Sequence, residues 1–579
     1  MTTAAVAAMP PAGSPTTPKK PRPLMGPVRA NLEAFGVAIL AAVLLKWFCI
    51  EAFQIPTSSM QPTLMGDSVA GVYDRILVDK ILPLFREPKR WDITVFKYPL
   101  QKNQNYVKRI GGMPGDRLRI AGGNLYQVIG EGGNVTYRIE RKPDDLQEEM
   151  WKNVFPGRAL ASAQQKWLGQ TLASSPRDAT TEDAGSLTMT LDKSSCLLYF
   201  RDQEDGRGDW GVLDRVWDGY PEAVAHQIRE KNQYDQPQEI VPDLRSAATL
   251  PPEQVVDELV FEVVVARPGH DTWKFGLVMK GGKAQLVVRD KDNKVLPNGS
   301  SAEFDLALPA GTATEVAFAH VDDRMIAWVG GRELQRFDCD AFACRDGCVI
   351  AFTAPTVNAR GELQTQGKLD KKDAQRVTPQ ITARGKGKLR LDDLRIDRDQ
   401  HYTRSTAPEI IEVPEGEYYM LGDNTLQSID SRGWTAVTIG VDAQNNVVPP
   451  NTPGARVVRG NMRAMRLEDP PDRDETPFPI PSENVLVMID EFGEVLRLNA
   501  RIGPGWGQFE NGTKRISFVP FGDVGGEREW VAPQTTNVRG ISFVPRADIQ
   551  GRAVLVFYPS RPFAWLFGNS WPDRFGFVR

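Results

Sequence analysis

The chain has 579 residues, more than one hydrophobic core usually organises, so we expect several domains. Its 70 lysine and arginine residues nearly balance 74 aspartate and glutamate residues, and the formal net charge of −4 gives no support to nucleic acid as a partner. The four histidines have neither metal-ligand spacing nor catalytic neighbours, so we expect no metal and no other cofactor: His226, His270, His320 and His401.

Cysteine usage also limits the class of protein. Five cysteines are too few for a disulfide framework in a chain of this length. Cys339, Cys344 and Cys348 cluster, but three residues lack the paired spacing of a zinc site. One disulfide within this cluster stays open, because no sequence argument selects the pair.

The N-terminal region divides into a tail and an apolar segment. Residues 1–30 are rich in Pro, Ala, Thr and Lys, so we expect a disordered tail. Residues 31–53 are roughly long enough, as a helix, to span the ~30 Å hydrocarbon layer of a membrane. Lys46 and Glu51 are costly there, but they lie near one end, where their charges can reach the interface. Basic residues before the span favour a cytoplasmic tail and a single-pass inner-membrane protein, with the remainder on the periplasmic side.

A cleaved signal peptide is the alternative for this segment. The purely apolar run Ala34–Leu45 has the length of a signal-peptide core. However, no small-x-small cleavage site follows it, since Cys49–Phe53 is a poor match. We therefore favour an uncleaved anchor.

A serine and a lysine beyond the apolar segment suggest hydrolytic chemistry. Ser59 follows the segment closely, and Lys108 lies in the alternating, strand-like run Tyr106–Ile110. A serine hydroxyl needs a base to take its proton as it attacks a carbonyl. Lysine can serve only if burial lowers its pKa from the usual ~10.4. Isolated serines and lysines are mostly ordinary surface residues, but these two lie inside long, specific strings, which indicate a serine–lysine protease at a membrane surface.

These strings resemble the type I signal peptidase family (peptidase family S26), membrane-bound serine–lysine enzymes that remove signal peptides from exported proteins. Four stretches carry the resemblance: Ile55–Leu64 (IPTSSMQPTL), Gly71–Lys80 with Lys89–Phe96, Tyr106–Asp116 (YVKRIGGMPGD) and Leu421–Arg432 (LGDNTLQSIDSR). They cover about a third of the chain. The rest is insertion, and this architecture resembles versions from planctomycete-type bacteria.

The resemblance implies roles for the residues of these stretches. Ser59 would be the nucleophile and Lys108 the general base, and the Thr57 hydroxyl with the Ser59 amide would line the oxyanion hole. Ser428 would orient the lysine, while Asp430 and Arg432 would support the site from behind. The sequence departs from the family at 425–427, where Thr-Leu-Gln replaces the more polar Arg-Asp-Asn, so we assign no role at these positions.

The resemblance also implies a substrate. An extended signal peptide would add along a strand edge and be cut after a small-x-small motif. Shallow apolar pockets, lined by Ile55, Met60 and Ile93, would restrict the residues one and three before the cut. The implied partners are signal peptides of exported preproteins, membrane lipid and the Sec/Tat export machinery.

The remaining sequence predicts a mainly β protein with large insertions. Short alternating runs between 251 and 400 are separated by Gly281-Gly282, Asn298-Gly299 and Gly330-Gly331 at hairpin positions, which favours an inserted β-sandwich resembling a laminin-G or concanavalin-like jelly roll. Because the four stretches lie outside this sandwich, we expect it to be dispensable for the chemistry. The predicted segments are 54–140 (catalytic core, antiparallel β), 141–250 (insertion of unknown role), 251–400 (sandwich), 408–434 (catalytic core), 435–538 (second insertion) and 539–579 (closing strands and C-terminal tail).

Two other functions are compatible with parts of the sequence. A self-cleaving repressor-type protease shares the serine–lysine core, but it needs a DNA-binding domain and the cytosol, whereas this chain offers an apolar anchor. A membrane-tethered envelope- or glycan-binding protein with a decayed protease core would have lost catalytic residues. Ser59, Lys108 and Ser428 are all present, which favours the active protease.

Overall fold

The structure is a computed structural model whose chain falls into two compact units, Met1–Glu51 and Ala52–Arg579. It describes residues 26–44, 49–131, 135–156, 165–171, 177–178, 186–192, 196–202, 211–220, 222–229, 240–252, 256–266, 272–306, 311–342, 376–403, 410–432, 434, 436–448, 452–461, 478–480, 485–499, 501–502, 509–510, 513–514, 517–519, 530–531, 543–558 and 576–578.

Strands dominate the described residues. The first elements are α1 (Gly26–Leu44), β1 (Ile50–Gln54), β2 (Gly66–Asp67), β3 (Val72–Tyr73), β4 (Arg75–Asp79), α2 (Leu82–Phe85), β5 (Ile93–Tyr98), β6 (Gln101–Gly112), β7 (Arg117–Ala121), β8 (Asn124–Ile129) and β9 (Thr136–Ile139). The next are α3 (Asp144–Met150), β10 (Lys152–Phe155), β11 (Gln165–Thr171), β12 (Arg177–Asp178), β13 (Leu187–Asp192), β14 (Cys196–Asp202), α4 (Glu222–Arg229), β15 (Leu244–Leu250), β16 (Glu258–Ala266), β17 (Trp273–Lys280), β18 (Lys283–Arg289), β19 (Val295–Ser300), β20 (Phe304–Asp305), β21 (Thr314–Val321), β22 (Arg324–Val329), β23 (Arg332–Asp338), β24 (Arg376–Arg384) and β25 (Lys386–Arg398). The last are β26 (Ile411–Glu412), β27 (Glu417–Leu421), β28 (Ala436–Val441), β29 (Val447–Val448), β30 (Arg456–Asn461), β31 (Phe478–Ile480), β32 (Val485–Ile489), β33 (Val495–Asn499), β34 (Arg501–Ile502), β35 (Phe509–Glu510), β36 (Thr513–Lys514), β37 (Ser517–Val519), β38 (Trp530–Val531), β39 (Val544–Pro545), β40 (Ile549–Tyr558) and β41 (Gly576–Phe577). The prediction of a mainly β protein is confirmed.

The apolar segment near the N-terminus is only partly helical. Helix α1 ends at Leu44, residues 45–48 lie outside the described part, and β1 is extended. The prediction of one helix over 31–53 is therefore wrong at its C-terminal end, because β1 joins the edge of a sheet and half-buries Phe53 against its core. In the part of the chain that the structure describes, no helix combines the length and apolar character needed to cross a membrane.

One sheet joins distant parts of the chain. Its strand order is β1-β4-β40-β5-β6-β27-β39, and β41 pairs with β40. Strand β6 pairs with β5 so that Lys108 lies opposite Thr94, and with β27 so that Arg109 lies opposite Leu421. A smaller sheet, β26-β7-β8-β9, follows. This register brings the third and fourth family-like stretches side by side, although about three hundred residues separate them in sequence.

Two large sheets share a second core. One has the order β10-β25-β15-β21-β22-β23 with β13 on β25, and the other has the order β12-β11-β14-β24-β16-β17-β18-β19 with β20 on β18. Phe261 from one sheet and Phe318 from the other are fully buried in the same apolar cluster. Strands β10, β13 and β14, which precede residue 251, pair with β24 or β25, so the segment 251–400 shares its sheets with residues before it.

Two of the three predicted hairpin turns are confirmed. Gly281-Gly282 joins β17 to β18 and Gly330-Gly331 joins β22 to β23, all four with the positive φ that such turns require. The turn predicted at Asn298-Gly299 is wrong. This pair lies within β19, where Asn298 has φ 56° and the pairing with β18 is irregular. The turn joining these strands lies at 290–294 instead.

The second insertion contributes small sheets, β29-β28-β30 and β31-β32-β33. The backbone amide of Asn499 donates to the carbonyl oxygen of Asn445 at 2.8 Å, and this hydrogen bond joins the two sheets. In the predicted cysteine cluster, Cys339 is buried. Cys344 and Cys348 lie outside the described residues, so the disulfide stays open.

Candidate active site

Ser59 lies in a short turn that two separate parts of the chain hold. Ser58–Met60 form a 3₁₀ turn after β1, and Thr57 before it is extended, with φ −121° and ψ 158°. The amide of Asn424 donates to the carbonyl oxygen of Ser59 at 3.1 Å. We call Ser58–Met60 the nucleophile turn and residues 422–432 the catalytic loop, after the roles that the sequence resemblance implies for them. The loop after β27 therefore fixes the backbone of the serine.

Ser59 and Lys108 are in direct contact. Lys108 lies on β6, and its Nζ donates a hydrogen bond to Ser59 Oγ at 2.6 Å. Ser59 is 9% exposed and Lys108 is 3% exposed, so both groups are shielded from bulk water. The Tyr106 ring centre lies 5.6 Å from Lys108 Nζ. A neutral amine at this position could accept the hydroxyl proton directly.

Thr57 lies on the solvent side of the nucleophile. Its Oγ1 is 3.4 Å from Ser59 Oγ, and the residue is exposed. The geometry is thus compatible with the predicted oxyanion role.

The three residues predicted to line substrate pockets lie together beneath the nucleophile. Ile55, Met60 and Ile93 belong to one apolar cluster, and each is at most 3% exposed. Phe53 and Val107, which the sequence reasoning did not single out, are the partly buried members of this cluster. The accessible apolar surface of this cluster therefore comes mainly from Phe53 and Val107, and the three predicted residues form its interior.

Asp430 and Arg432 form a fully enclosed pair. Arg432 Nη2 donates to Asp430 Oδ2 at 2.7 Å, and the Gly422 amide donates to the same oxygen at 2.8 Å. Arg432 Nη1 also donates to the Thr403 carbonyl oxygen at 3.0 Å. Burial raises the pKa of Asp430, but Arg432 and the Gly422 amide outweigh it and hold that pKa below its usual value. The charged pair therefore holds the beginning and the end of the catalytic loop close together.

Ser428 packs on the backbone of Gly422. A Cβ at Gly422 would collide with the Ser428 side chain and with the Ser59 carbonyl oxygen. The Ser428 hydroxyl is buried and has no hydrogen-bond partner among the described residues. The predicted hydrogen bond from Ser428 to Lys108 is therefore not formed in this structure, although both residues lie near Gly422 and the nucleophile turn.

A second buried ion pair joins β6 to the catalytic loop. Arg109 Nε donates to Asp423 Oδ1 at 2.9 Å and Nη2 donates to Oδ2 at 2.7 Å, while Thr63 Oγ1 donates to Oδ2 at 2.6 Å. Burial raises the pKa of Asp423, but Arg109 and Thr63 hold it below its usual value. Sequence reasoning gave these residues no role. The available signal was a charged residue close to apolar residues in each of two family-like stretches, since buried charges need partners.

The insertion supplies polar contacts behind this pair. Lys152 Nζ and Gln400 Nε2 donate to the carbonyl oxygen of Asp423, at 3.4 Å and 2.8 Å. Lys152 is buried, and this burial, together with the nearby Arg398, lowers the pKa of Lys152 to about 7. A cavity of about 290 Å³ adjoins the amine, with Thr63 among its lining residues. The segment predicted to have no known role therefore contacts the loop that holds Ser59.

Among the described residues, one group of carboxylates is close enough to hold a metal ion. Asp243, Asp322 and Asp399 have oxygens within 4.8 Å of one another. Lys142 Nζ already pairs with Asp322 at 2.8 Å and with Asp399 at 2.7 Å. Burial and the neighbouring carboxylates raise the pKa of Asp243 well above its usual value. An ammonium group fills this cluster, so we assign it no metal.

Comparison with known proteins shows which family the site resembles. The family model described as "Signal peptidase, peptidase S26" matches residues 28–166 and 350–448, which include Ser59, Lys108 and the catalytic loop. The chain is similar to this family over these residues.

Curated relatives match parts of this region. Signal peptidase I of Pseudomonas aeruginosa is 37% identical over 106 residues, 17% of this chain and 37% of that protein. Signal peptidase I of Leptolyngbya laminosa is 33% identical over 138 residues, 22% of this chain and 61% of that protein. The chain thus spans less than two thirds of the length of these relatives.

Solved structures similar to the chain match it only weakly. Sheep galectin-11 covers 28% of the chain with a TM-score of 0.15 and 10% identity. A laminarinase from Flavobacterium covers 38% with a TM-score of 0.21 and 9% identity. Likenesses at these TM-scores do not define the fold or the role of the two large sheets.

Proposed function

We propose that this protein is a membrane-anchored serine endopeptidase that removes signal peptides from exported preproteins after a small-x-small motif. The observation that carries the proposal is the 2.6 Å contact between Lys108 Nζ and Ser59 Oγ, within the part of the chain that matches the S26 family. Both side chains are buried, as a lysine base requires.

The acylation step follows from this contact. Ser59 Oγ attacks the scissile carbonyl carbon while neutral Lys108 accepts the hydroxyl proton. The tetrahedral intermediate then collapses, and Lys108 donates that proton to the leaving amine of the mature protein. Water, deprotonated by Lys108, attacks the resulting ester and releases the signal peptide, which restores Ser59 and returns the enzyme to its starting state.

The oxyanion of each tetrahedral intermediate needs donors. The Thr57 hydroxyl and the Ser59 amide are the groups we assign, supported by the 3.4 Å separation of Thr57 Oγ1 from Ser59 Oγ. Ser428 would orient Lys108 when its unpartnered hydroxyl turns toward the amine. Asp430 and Arg432 would keep Gly422 close to both.

Substrate selection would use the apolar surface beside the nucleophile. Ile55, Met60 and Ile93 leave little depth, since they are almost completely buried. Only small side chains would fit at the first and third positions before the cut. The anchor and the periplasmic placement of the catalytic part rest on the apolar run Ala34–Leu45 and the basic residues before it. Membrane lipid and the Sec/Tat machinery are partners under the same proposal.

Cleavage of a preprotein with a defined site tests this function. The full-length protein in detergent is expected to cut after an Ala-x-Ala signal sequence, with the new N-terminus identified by mass spectrometry. Replacing the Ala directly before the cut by Leu should block cleavage. Placing a Leu at the second residue after the cut should not. Equal cleavage of both altered substrates would contradict the assigned specificity.

A further inference from the structure

Part of the insertion packs directly on the segment that follows the nucleophile. Val216, Trp217 and Tyr220, with apolar residues of α4, share a buried cluster with Met65 and other residues around the β2–β3 hairpin. The Gln227 side-chain amide of α4 also donates to the Ala70 carbonyl oxygen at 2.6 Å. Residues 211–229 lie outside both stretches that the family model matches, so this contact is a feature of the insertion.

Tyr220 carries this packing to the active site. Its hydroxyl donates to Gln61 Oε1 at 2.7 Å and accepts from Asn424 Nδ2 at 3.2 Å. The Gln61 side chain in turn donates from Nε2 to the Gly66 carbonyl oxygen at 2.9 Å. Tyr220 is 6% exposed, Gln61 1% and Asn424 5%, so water competes little for these hydrogen bonds.

Asn424 is the residue through which the catalytic loop holds the nucleophile turn. Its amide donates to the Ser59 carbonyl oxygen, and its Nδ2 donates to the Ser58 carbonyl oxygen, both at 3.1 Å. Gln61 lies two residues after Ser59. The Tyr220 hydroxyl therefore bridges the two segments whose separation sets the position of Ser59.

We infer that Tyr220 is a positioning residue, through which the insertion fixes the nucleophile turn against the catalytic loop. This inference rests on the proposed function for its kinetic consequence, but not for its structural one. Loss of the hydroxyl leaves Gln61 Oε1 and Asn424 Nδ2 without this partner and lets the turn and the loop shift relative to each other. A small displacement of Ser59 Oγ from Lys108 and from the scissile carbonyl lowers the rate of acylation more than it lowers binding.

Tyr220→Phe is the test, because it removes the hydroxyl and keeps the ring that packs edge-on against Trp217 at 5.5 Å. Tyr126→Phe is the matched control. It also removes a buried hydroxyl, which donates to Asp323 Oδ2 at 3.1 Å. This hydrogen bond involves neither the nucleophile turn nor the catalytic loop. We expect Tyr220→Phe to lower kcat about tenfold, the effect of one lost hydrogen bond, with KM within about twofold. The control should keep kcat within about twofold of wild type.

Hydrogen–deuterium exchange gives a readout that does not depend on activity. Peptides covering 55–66 should exchange faster in Tyr220→Phe than in wild type and in Tyr126→Phe. A kcat for Tyr220→Phe equal to that of the control overturns the inference. If wild type cleaves no preprotein, the proposed function fails, and the positioning role is then judged by exchange alone: faster exchange of 55–66 supports it and unchanged exchange overturns it.

Discussion

At the scale of single residues, buried charges hold the site together. Arg109 with Asp423, and Arg432 with Asp430, are enclosed pairs in which a guanidinium meets both oxygens of a carboxylate. Removing one partner of such a pair leaves an uncompensated charge in the interior, which costs far more than the pair itself contributes. These pairs therefore resist change in the positions of β6 and the catalytic loop.

Arg109→Lys should be destabilising, although it keeps the positive charge of the pair. Lysine is a point charge and cannot meet both Asp423 oxygens, so we expect a loss of about 3 kcal/mol in the free energy of unfolding. Urea denaturation measures it. Arg336→Lys is the control, since Arg336 makes comparable bonds to Asp144 and Glu333 at the surface, where the loss should stay below about 1 kcal/mol. Similar losses in both variants would contradict this account.

Thr57→Val should impair the chemistry rather than binding. An oxyanion donor acts only when charge develops, so we expect kcat to fall by roughly 10- to 1000-fold with little change in KM. Thr249→Val is the control, because that hydroxyl bonds Asp393 far along the chain in an exposed contact. An unchanged kcat in the Thr57 variant would show that another group supplies the donor.

Lys152 should make stability depend on pH. Burial lowers the pKa of Lys152 from 10.5 to about 7, so the folded protein opposes its charge, while the unfolded chain does not. The free-energy cost of the charged Lys152 in the folded protein is absent above the pKa that this lysine has in the unfolded chain. It grows as pH falls and reaches its full value below about pH 7.

Lys152→Met should therefore stabilise the protein by a few kcal/mol near pH 7, and the gain should shrink toward zero near pH 10.5. Denaturation series of wild type and variant across this range measure the difference. Lys294→Met, at an exposed lysine, should show no such trend. A gain for Lys152→Met that does not vary with pH would contradict the lowered pKa.

At the scale of elements, the sequence pattern predicted those turns and strands that depend on neighbouring residues alone. The Gly281-Gly282 and Gly330-Gly331 turns follow from the positive φ that only glycine adopts freely. The strands predicted from alternation are seen as β16 to β18, but each has consecutive buried residues, so their burial does not alternate strictly. The prediction of a helix over 31–53 is wrong at its C-terminal end, because apolar composition alone does not distinguish a membrane helix from a strand that half-buries Phe53. Nothing local marked Asn298-Gly299 as part of β19.

Gly422→Ala tests the closeness of the catalytic loop to the nucleophile turn. The new methyl group would meet the Ser428 side chain and the Ser59 carbonyl oxygen, so the loop has to move away from the turn. We expect at least a hundredfold loss of kcat/KM, which corresponds to about 2.7 kcal/mol in the activation barrier. Gly576→Ala, where a methyl group meets nothing within 4 Å, should behave as wild type. An active Gly422 variant with an unchanged fold would contradict the packing described for this loop.

At the scale of the whole molecule, the insertion contacts the candidate site. Strand β14 pairs with β24, about 180 residues further along. Tyr220 bonds Gln61 beside the nucleophile turn, and Gln400 bonds Asp423 in the catalytic loop. No local sequence pattern encodes such long-range pairing, so the sequence predicted a separable sandwich over 251–400. Roles could be predicted for Ser59, Lys108 and the catalytic loop because each lies in a specific string, whereas Tyr220 and Gln400 lie in none.

Deletion of 251–400 should therefore prevent folding rather than trim an accessory module. Strands β10, β13 and β14 would lose their partners β24 and β25, and the Asp423 carbonyl oxygen would lose Gln400. We expect an insoluble product, or one without a cooperative thermal transition. A soluble deletion variant that cleaves a short signal-peptide substrate within about tenfold of wild type would restore the modular interpretation.

The central claim is that Ser59 and Lys108 act as one catalytic unit. The most direct measurement compares single-turnover cleavage of a preprotein by wild type, Ser59→Ala, Lys108→Met and the double variant, each shown to be folded by its thermal transition. We predict that either single change lowers the cleavage rate below a thousandth of wild type, and that combining them costs nothing further, since each alone removes the same step. Either single variant retaining a tenth or more of the wild-type rate would contradict the serine–lysine mechanism.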